Sequence, residues 1–277
     1  MGMVHEDGTI VADELAPVAE ACGQSTEQVR SCLRRLVSEG LFTREGSGRS
    51  TTYRATNAGH AAMGMNMERT RLAFVQDAAG RGWDRHWHVV AFAVPERSRA
   101  ARDGLRDRLL ELGGAAVQGG LYVSPHDWDD AVRAAADEFG IGDLVTIAST
   151  DDLDIGGERD PREIARRLWP VEQLASRYAR LVEDFTANVD VLDQLRARHE
   201  HIDEPTFLAG ALHTAVAFVK VFNTDPLLPP ELLPRPWPGR AARDLLLRSR
   251  RQGLVLRSGA GRSLLFAGFD EALSAIP

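Results

Sequence analysis

The sequence predicts an α+β protein: two strand-containing parts followed by a mainly helical one. Three observations lead there. Residues 25–56 read as an amphipathic helix followed by a strand, a glycine-containing turn and a second strand. Residues 83–154 alternate strand and helix patterns in the order βαββαβ. From Pro161 to Arg251 apolar residues recur at helical spacing.

The bulk properties set the frame. A chain of 277 residues with 44% hydrophobic and 26% charged residues has the composition of a water-soluble globular protein of two or three domains. No apolar run approaches the ~20 residues that span a bilayer. The start, MGMVHEDGTIVADE, lacks a basic-then-apolar signal pattern, so a cytoplasmic protein is expected. Cys22 and Cys32 both fall on apolar faces of proposed helices, and buried free thiols are expected there. A redox pair is the alternative.

In the N-terminal stretch, Ser25 and Gln28 make a capping-box start. Val29, Cys32, Leu33, Leu36 and Val37 follow as one apolar face, and Gly40 ends the helix. The other face carries Glu27, Arg30, Ser31, Arg34 and Ser38. Residues 41–44 and 51–56 are the hairpin strands, with Arg49 at the tip. A shorter helix is expected before them, with Asp13 as N-cap, Pro17 in the first turn and Gly23 as terminator. Helix, turn, helix and hairpin together are the winged helix-turn-helix. Between Gln24 and Thr56 six arginines face three glutamates, in a chain whose net charge is −7. A local basic patch on an acidic chain suits a duplex DNA partner, because arginine pairs with guanine edges and phosphates and glutamine with adenine. The expected DNA-facing residues are Thr26, Gln28, Arg30, Ser31 and Arg34, with Arg49 on phosphate.

A connecting helix is expected over 57–76, and the polar stretch 77–82 marks a boundary. The expected domains are 1–59, a connection over 60–82, 83–155 and 160–277. In the middle part, 88–94 is a strand ended by Pro95, and 99–112 is a helix. Residues 115–118 and 121–124 make a hairpin, a helix starts at Asp127, and 144–148 is the last strand. That order defines a ferredoxin-like domain, a fold that names no function by itself. Further on, a short helix over 164–169 precedes a long one over 171–199. The apolar segment 207–222 is expected to be buried. A proline-punctuated stretch over 225–238 leads into a last helix over 239–251, and a tail follows that is either a hairpin around Gly259-Ala260-Gly261 or partly disordered.

Two blocks carry a family resemblance. The first runs Trp83-Asp84, Trp87, Val89-Val90, Phe92, Val94-Pro95-Glu96, Arg99, Arg102, Leu105-Arg106, Leu112-Gly113, Gly120, Val123, Pro125 and Asp127. The second runs Asp225-Pro226, Leu228-Pro229, Glu231-Leu232-Leu233-Pro234 and Trp237-Pro238-Gly239. Together with the winged-helix segment they resemble the PaaX-like repressors of phenylacetate degradation. The resemblance implies a dimeric repressor that reads DNA with its N-terminal domain and is released by an aryl-CoA thioester.

The chain departs from that family in three places. The family's helix ahead of the loop matching His5 to Thr9 is not in this sequence, so either the start is truncated or the winged helix is expected to lack that packing partner. The acid that related nucleases carry at the end of the first strand of the middle domain is here Ala93, with Glu96 displaced by three residues. Before Asp225 the family's histidine, aromatic and two arginines are replaced by Val216-Ala217-Phe218-Val219-Lys220-Val221-Phe222. A small-molecule effector, acyl-CoA among the candidates, is therefore expected, with phenylacetyl-CoA itself not carried over.

No catalytic constellation, cofactor site or metal site is assigned. His86, His88 and His126 could form a three-histidine site, but hydrogen-bonded histidines are far commoner. Lys220 in an apolar helix reads as snorkelling to the surface. The expected protein is a sequence-specific transcriptional regulator, a repressor of a catabolic operon. It would act as a homodimer on double-stranded DNA, with no membrane role. The alternatives are a metal-dependent nuclease and an interaction protein that no longer binds DNA.

Overall fold

The structure is a computed structural model and describes residues 3–46, 51–202 and 204–256. It combines helices with two antiparallel sheets, an α+β architecture as expected. Two compact units form. One draws on 1–75, 180–220 and 240–277, and the other on 76–179 and 221–239. No described helix is long and apolar enough to cross a membrane.

The first unit begins with strand β1, Thr9–Val11, and helix α1, Ala12–Ala21. Helix α2, Thr26–Ser38, and strands β2, Phe42–Glu45, and β3, Thr52–Ala55, follow. Both helices close on a glycine at positive φ, Gly23 at 66° and Gly40 at 72°. In each the same pair of backbone bonds satisfies the last carbonyls. Gly23 and Gln24 donate to Glu20 and Ala19, and Gly40 and Leu41 to Val37 and Leu36. Ile10, Leu33, Phe42, Tyr53 and Ala55 form the core beneath them.

Several expectations need correction here. Thr9, read as the end of a loop from His5, instead pairs with β3 together with Ile10 and Val11 and makes a three-stranded sheet in the order β1-β3-β2. Because that strand runs straight into α1, the helix starts at Ala12 with Val11, not Asp13, at its N-cap. Pro17 therefore lies inside the helix rather than in its first turn, where it withholds a backbone donor. Cys32 is exposed and Cys22 half-buried, and both are free thiols. The apolar face of α2 is narrower than its spacing suggested, since the small core accepts only Leu33 fully.

Helix α3, Asn57–Ala79, extends past the expected boundary at 77. Thr56 ties its start to the hairpin: its hydroxyl donates to the Gly40 carbonyl at 2.6 Å and accepts from Gly59 N–H at 3.1 Å. Gly59 sits so close to this turn that a Cβ would meet the Leu41 carbonyl oxygen at 2.1 Å.

The second unit is built on a four-stranded sheet. Its strands are β4, Trp87–Phe92, β5, Ala115–Gln118, β6, Leu121–Ser124, and β7, Val145–Thr150. Helices α4, Arg99–Glu111, and α5, Asp129–Glu138, connect them, in the expected chain order. The sheet order is β5-β6-β4-β7, with every adjacent pair antiparallel. Alternation along β4 divides the core. Val90 and Phe92 point to α4 and α5, joining Leu105, Leu109, Trp128 and Val132. Trp87 points to the other face, where α6, Pro161–Leu168, supplies Ile164 and Ala165.

The proline-punctuated segment closes that second face with Leu228, Leu232 and Leu233. It is anchored by buried polar contacts. Tyr178 donates its hydroxyl to Asp225 at 2.8 Å, and the other Asp225 oxygen accepts from Leu227 N–H at 2.8 Å. His126 Nε2 donates to the Leu227 carbonyl at 2.9 Å. Gly113, at φ 86°, faces the Pro226 carbonyl so closely that a Cβ would lie 2.9 Å from it.

Helix α7, Val171–Ala197, is the long helix read from the sequence. Leu174, Tyr178, Leu181, Phe185 and Val189 are buried along it. Helix α8, Glu204–Phe222, buries Thr214, Phe218, Val221 and Phe222 but exposes Val216 and Val219, so the segment is one-sided rather than wholly buried. Lys220 is exposed, as its snorkelling reading anticipated. Ala211 and Leu212 of α8 share a packed cluster with Met3, Val18 and Ala21, which gives α1 a helical neighbour. Helix α9 is Pro238–Leu256. The expected hairpin around Gly259–Gly261 lies outside the described residues.

Candidate nucleic-acid interface

Helix α2 owes its direction to its cap. Gln28 N–H donates to Ser25 Oγ at 3.2 Å, and Ser25 N–H donates to Gln28 Oε1 at 2.7 Å. This satisfies two of the donors a helix start leaves open. Leu33 pins the inner face, with Val29, Leu36 and Val37 half-buried around it. Thr26, Gln28, Arg30, Ser31 and Arg34 are all exposed. Arg49 lies outside the described residues, between β2 and β3.

The electrostatics of this face differ from residue to residue. Arg34 donates to Glu27 at 2.7 Å, two turns back along the helix. That bond, followed by the charge of Arg34, holds the Glu27 carboxyl below its ordinary value despite slight desolvation. Arg54 pairs with Glu45 across the hairpin at 3.2 Å, and Arg35 lies 4.0 Å from Glu39. The three acids of the window are thus each matched to an arginine. Among the described residues, Arg30 and Arg44 have no ion-pair partner. The matched pairs are exposed, where water and salt screen them, so each contributes little and a competing anion would displace the acid at little loss.

Gln28 is constrained differently. Its side-chain oxygen already accepts the Ser25 N–H. While the cap holds, the side chain is tied back to Ser25 and one lone pair of its oxygen is taken, which limits the donor–acceptor pair that reads adenine. The dual role was latent in the sequence, where Gln28 is both box residue and outward residue. The Glu27–Arg34 pair was legible too, at a spacing of seven. β1 had no such signal: three residues after a polar turn are too short to show alternation.

In the second unit the nuclease-type position is Ala93, an exposed residue just past β4. The displaced acid, Glu96, lies 3.2 Å from Arg102 and 3.6 Å from Arg99. The three histidines do not converge. His86 Nδ1 donates to the Asp84 carbonyl at 3.1 Å, and His126 is turned to Leu227. His88 keeps carboxylate company instead.

The protein is therefore an α+β chain in which a basic helical module with a small sheet precedes a four-stranded sheet domain and long helices. Three family models match it in series. They are the PaaX-like protein model over residues 2–59, the PaaX protein central Cas2-like domain over 80–165, and the PaaX-like protein C-terminal domain over 169–258. The chain belongs to the PaaX-like family. It is 26% identical over 248 residues to the transcriptional repressor PaaX of Escherichia coli (strain K12), covering 88% of this chain and 74% of that protein. Its fold resembles that of the uncharacterized protein Rv0674 from Mycobacterium tuberculosis, with a TM-score of 0.50 and 24% identity. That likeness covers 88% of this chain and 89% of the other.

Proposed function

We propose that this protein is a sequence-specific DNA-binding transcriptional repressor. Residues 1–59 then act as a winged helix-turn-helix and 83–155 as a ferredoxin-like domain, joined by a connection over 60–82. Residues 160–277 carry effector sensing and dimerisation. The observation that carries the reading is the exposed face of α2, where Arg30, Ser31 and Arg34 project from a helix whose opposite side is packed on the hairpin sheet. A helix of this kind fits the major groove, and the β2–β3 hairpin would lie along the neighbouring backbone. The similarity to a transcriptional repressor over most of the chain supports the same reading. The effector is a small molecule of catabolism, with an acyl-CoA as one class to screen, and the setting is the cytoplasm.

Fluorescence anisotropy on the DNA upstream of the protein's own gene, against a scrambled duplex and across a salt series, tests this. Preferential binding that weakens steeply with salt is expected. Equal, weak binding to both duplexes would reject the DNA-reading role.

A further inference from the structure

We propose that the sheet domain holds a divalent transition-metal ion between His88 Nδ1 and the carboxylates of Asp127 and Asp129. His88 lies on β4 opposite Ser124, on the face covered by α4 and α5, and is 7% exposed. Its Nε2 is 3.1 Å from the carboxylate of Asp84. A carboxylate can only accept, so Nε2 carries the proton and Nδ1 of the neutral ring presents a lone pair.

Two more carboxylates lie close to Nδ1. Nδ1 lies 3.5 Å from Asp129 Oδ1 and 3.9 Å from Asp127 Oδ1. Nδ1 and Asp129 Oδ1 are both buried and have no hydrogen-bond partner among the described residues. Three acceptors facing one another repel unless a cation sits among them. Metal–nitrogen and metal–oxygen bonds of about 2.0–2.2 Å, opened at a tetrahedral angle, separate ligand atoms by about 3.4 Å. The ligand atoms, all within 4.8 Å of one another, must draw together to reach that value, Nδ1 and Asp129 Oδ1 the least.

The surroundings match a metal-binding histidine. Such a ring commonly gives its other N–H to a carboxylate, which fixes its orientation and raises its basicity. Asp84 stands in that position. The other Asp84 oxygen accepts from the His86 N–H at 2.7 Å, which fixes the carboxylate in that place. Asp127 is positioned in turn by the Asp129 N–H, which donates to its Oδ1 at 3.2 Å. One imidazole with two carboxylates suits Zn²⁺, Mn²⁺ or Fe²⁺ better than the all-oxygen preference of Ca²⁺ or Mg²⁺. The Asp127 side chain is 76% exposed, so a fourth position opens to solvent. The site lies at the start of β4, whereas Ala93 follows its end, so it is separate from the nuclease-type position. An ion here ties β4 to the first turn of α5.

The experiment uses the full-length protein stripped with a chelator. Zn²⁺ and Mn²⁺ are titrated by calorimetry at neutral pH, and melting is followed with and without the ion. One equivalent per chain and a raised Tm are expected. Asp127→Asn, at an exposed side chain, and Asp129→Asn should each weaken binding at least tenfold while leaving the metal-free Tm near wild type. Asp84→Asn should weaken it about 10–100-fold by loosening the ring. Absence of stoichiometric binding overturns the proposal. So does binding that both asparagine variants retain, which would place the ion elsewhere. A His88 nitrogen spectrum showing imidazolium at neutral pH in the presence of Zn²⁺ would mean that a proton fills the gap, and the proposal would fail.

Discussion

Arg30 and Arg34 sit one helical turn apart on the same exposed face but start from different states. Arg30 is free of ion pairs among the described residues, whereas Arg34 is held by Glu27. If Arg30 reads a base, Arg30→Ala should lower discrimination between the operator and single-base variants by about 1–3 kcal/mol. Competition binding at moderate salt measures it, and wild-type discrimination would show that this face is misassigned. Glu27→Gln releases Arg34 without moving it, so affinity should rise for operator and scrambled duplex alike. A gain confined to the operator would mean that Arg34 reads bases. Arg49→Ala should lower affinity across all sequences and flatten the salt slope by about one counterion.

Glycines at the ends of elements separate conformational from steric demands. Gly40 holds φ at 72° with nothing within 4 Å of where a Cβ would sit. Gly40→Ala therefore meets only the backbone penalty of the left-handed region, about 1–2 kcal/mol. Gly59→Ala should be worse, because its Cβ would press on the Leu41 carbonyl and push α3 off the hairpin. Thermal melts of the two variants rank them, and a milder Gly59→Ala would mean that α3 can shift freely. Ser25→Ala removes the acceptor of the capping box and should destabilise by about 1 kcal/mol. The residue-25 backbone N–H that Gln28 Oε1 accepts from is kept, so stability is expected to fall with the Gln28 side chain still engaged.

At the scale of the whole molecule, the sheet domain is completed from far along the chain. The segment 225–238 returns to cover the face that β4 and β6 offer through Trp87 and Val123. Tyr178→Phe leaves the buried Asp225 one donor short and should destabilise by about 1–3 kcal/mol. Chemical denaturation checks it, and an unchanged midpoint would show that the strap is held by its leucines alone. Helix α7 is the candidate for either a homodimer seam or an interdomain spine, and assembly through the seam is the prediction tested. Light scattering should give twice the chain mass, and a monomer would reject the seam.

What the sequence determined by itself was local. The capping box, both terminating glycines, the 115–124 hairpin and the long helix follow from residue spacing and conformational preference, which act over a few residues. The outward face of α2 was legible for the same reason. Tertiary structure decided the rest. It recruited Thr9–Val11 into a sheet, because only pairing with β3 makes so short a segment a strand. It moved Pro17 into the helix, because β1 runs straight into α1, and turned Cys32 outward, because the core under α2 is small. It scattered the three histidines that sequence proximity grouped, and placed His88 beside Asp127 and Asp129 through the β4–β6 register. Such juxtapositions depend on strand pairing between distant segments, and no local pattern encodes them.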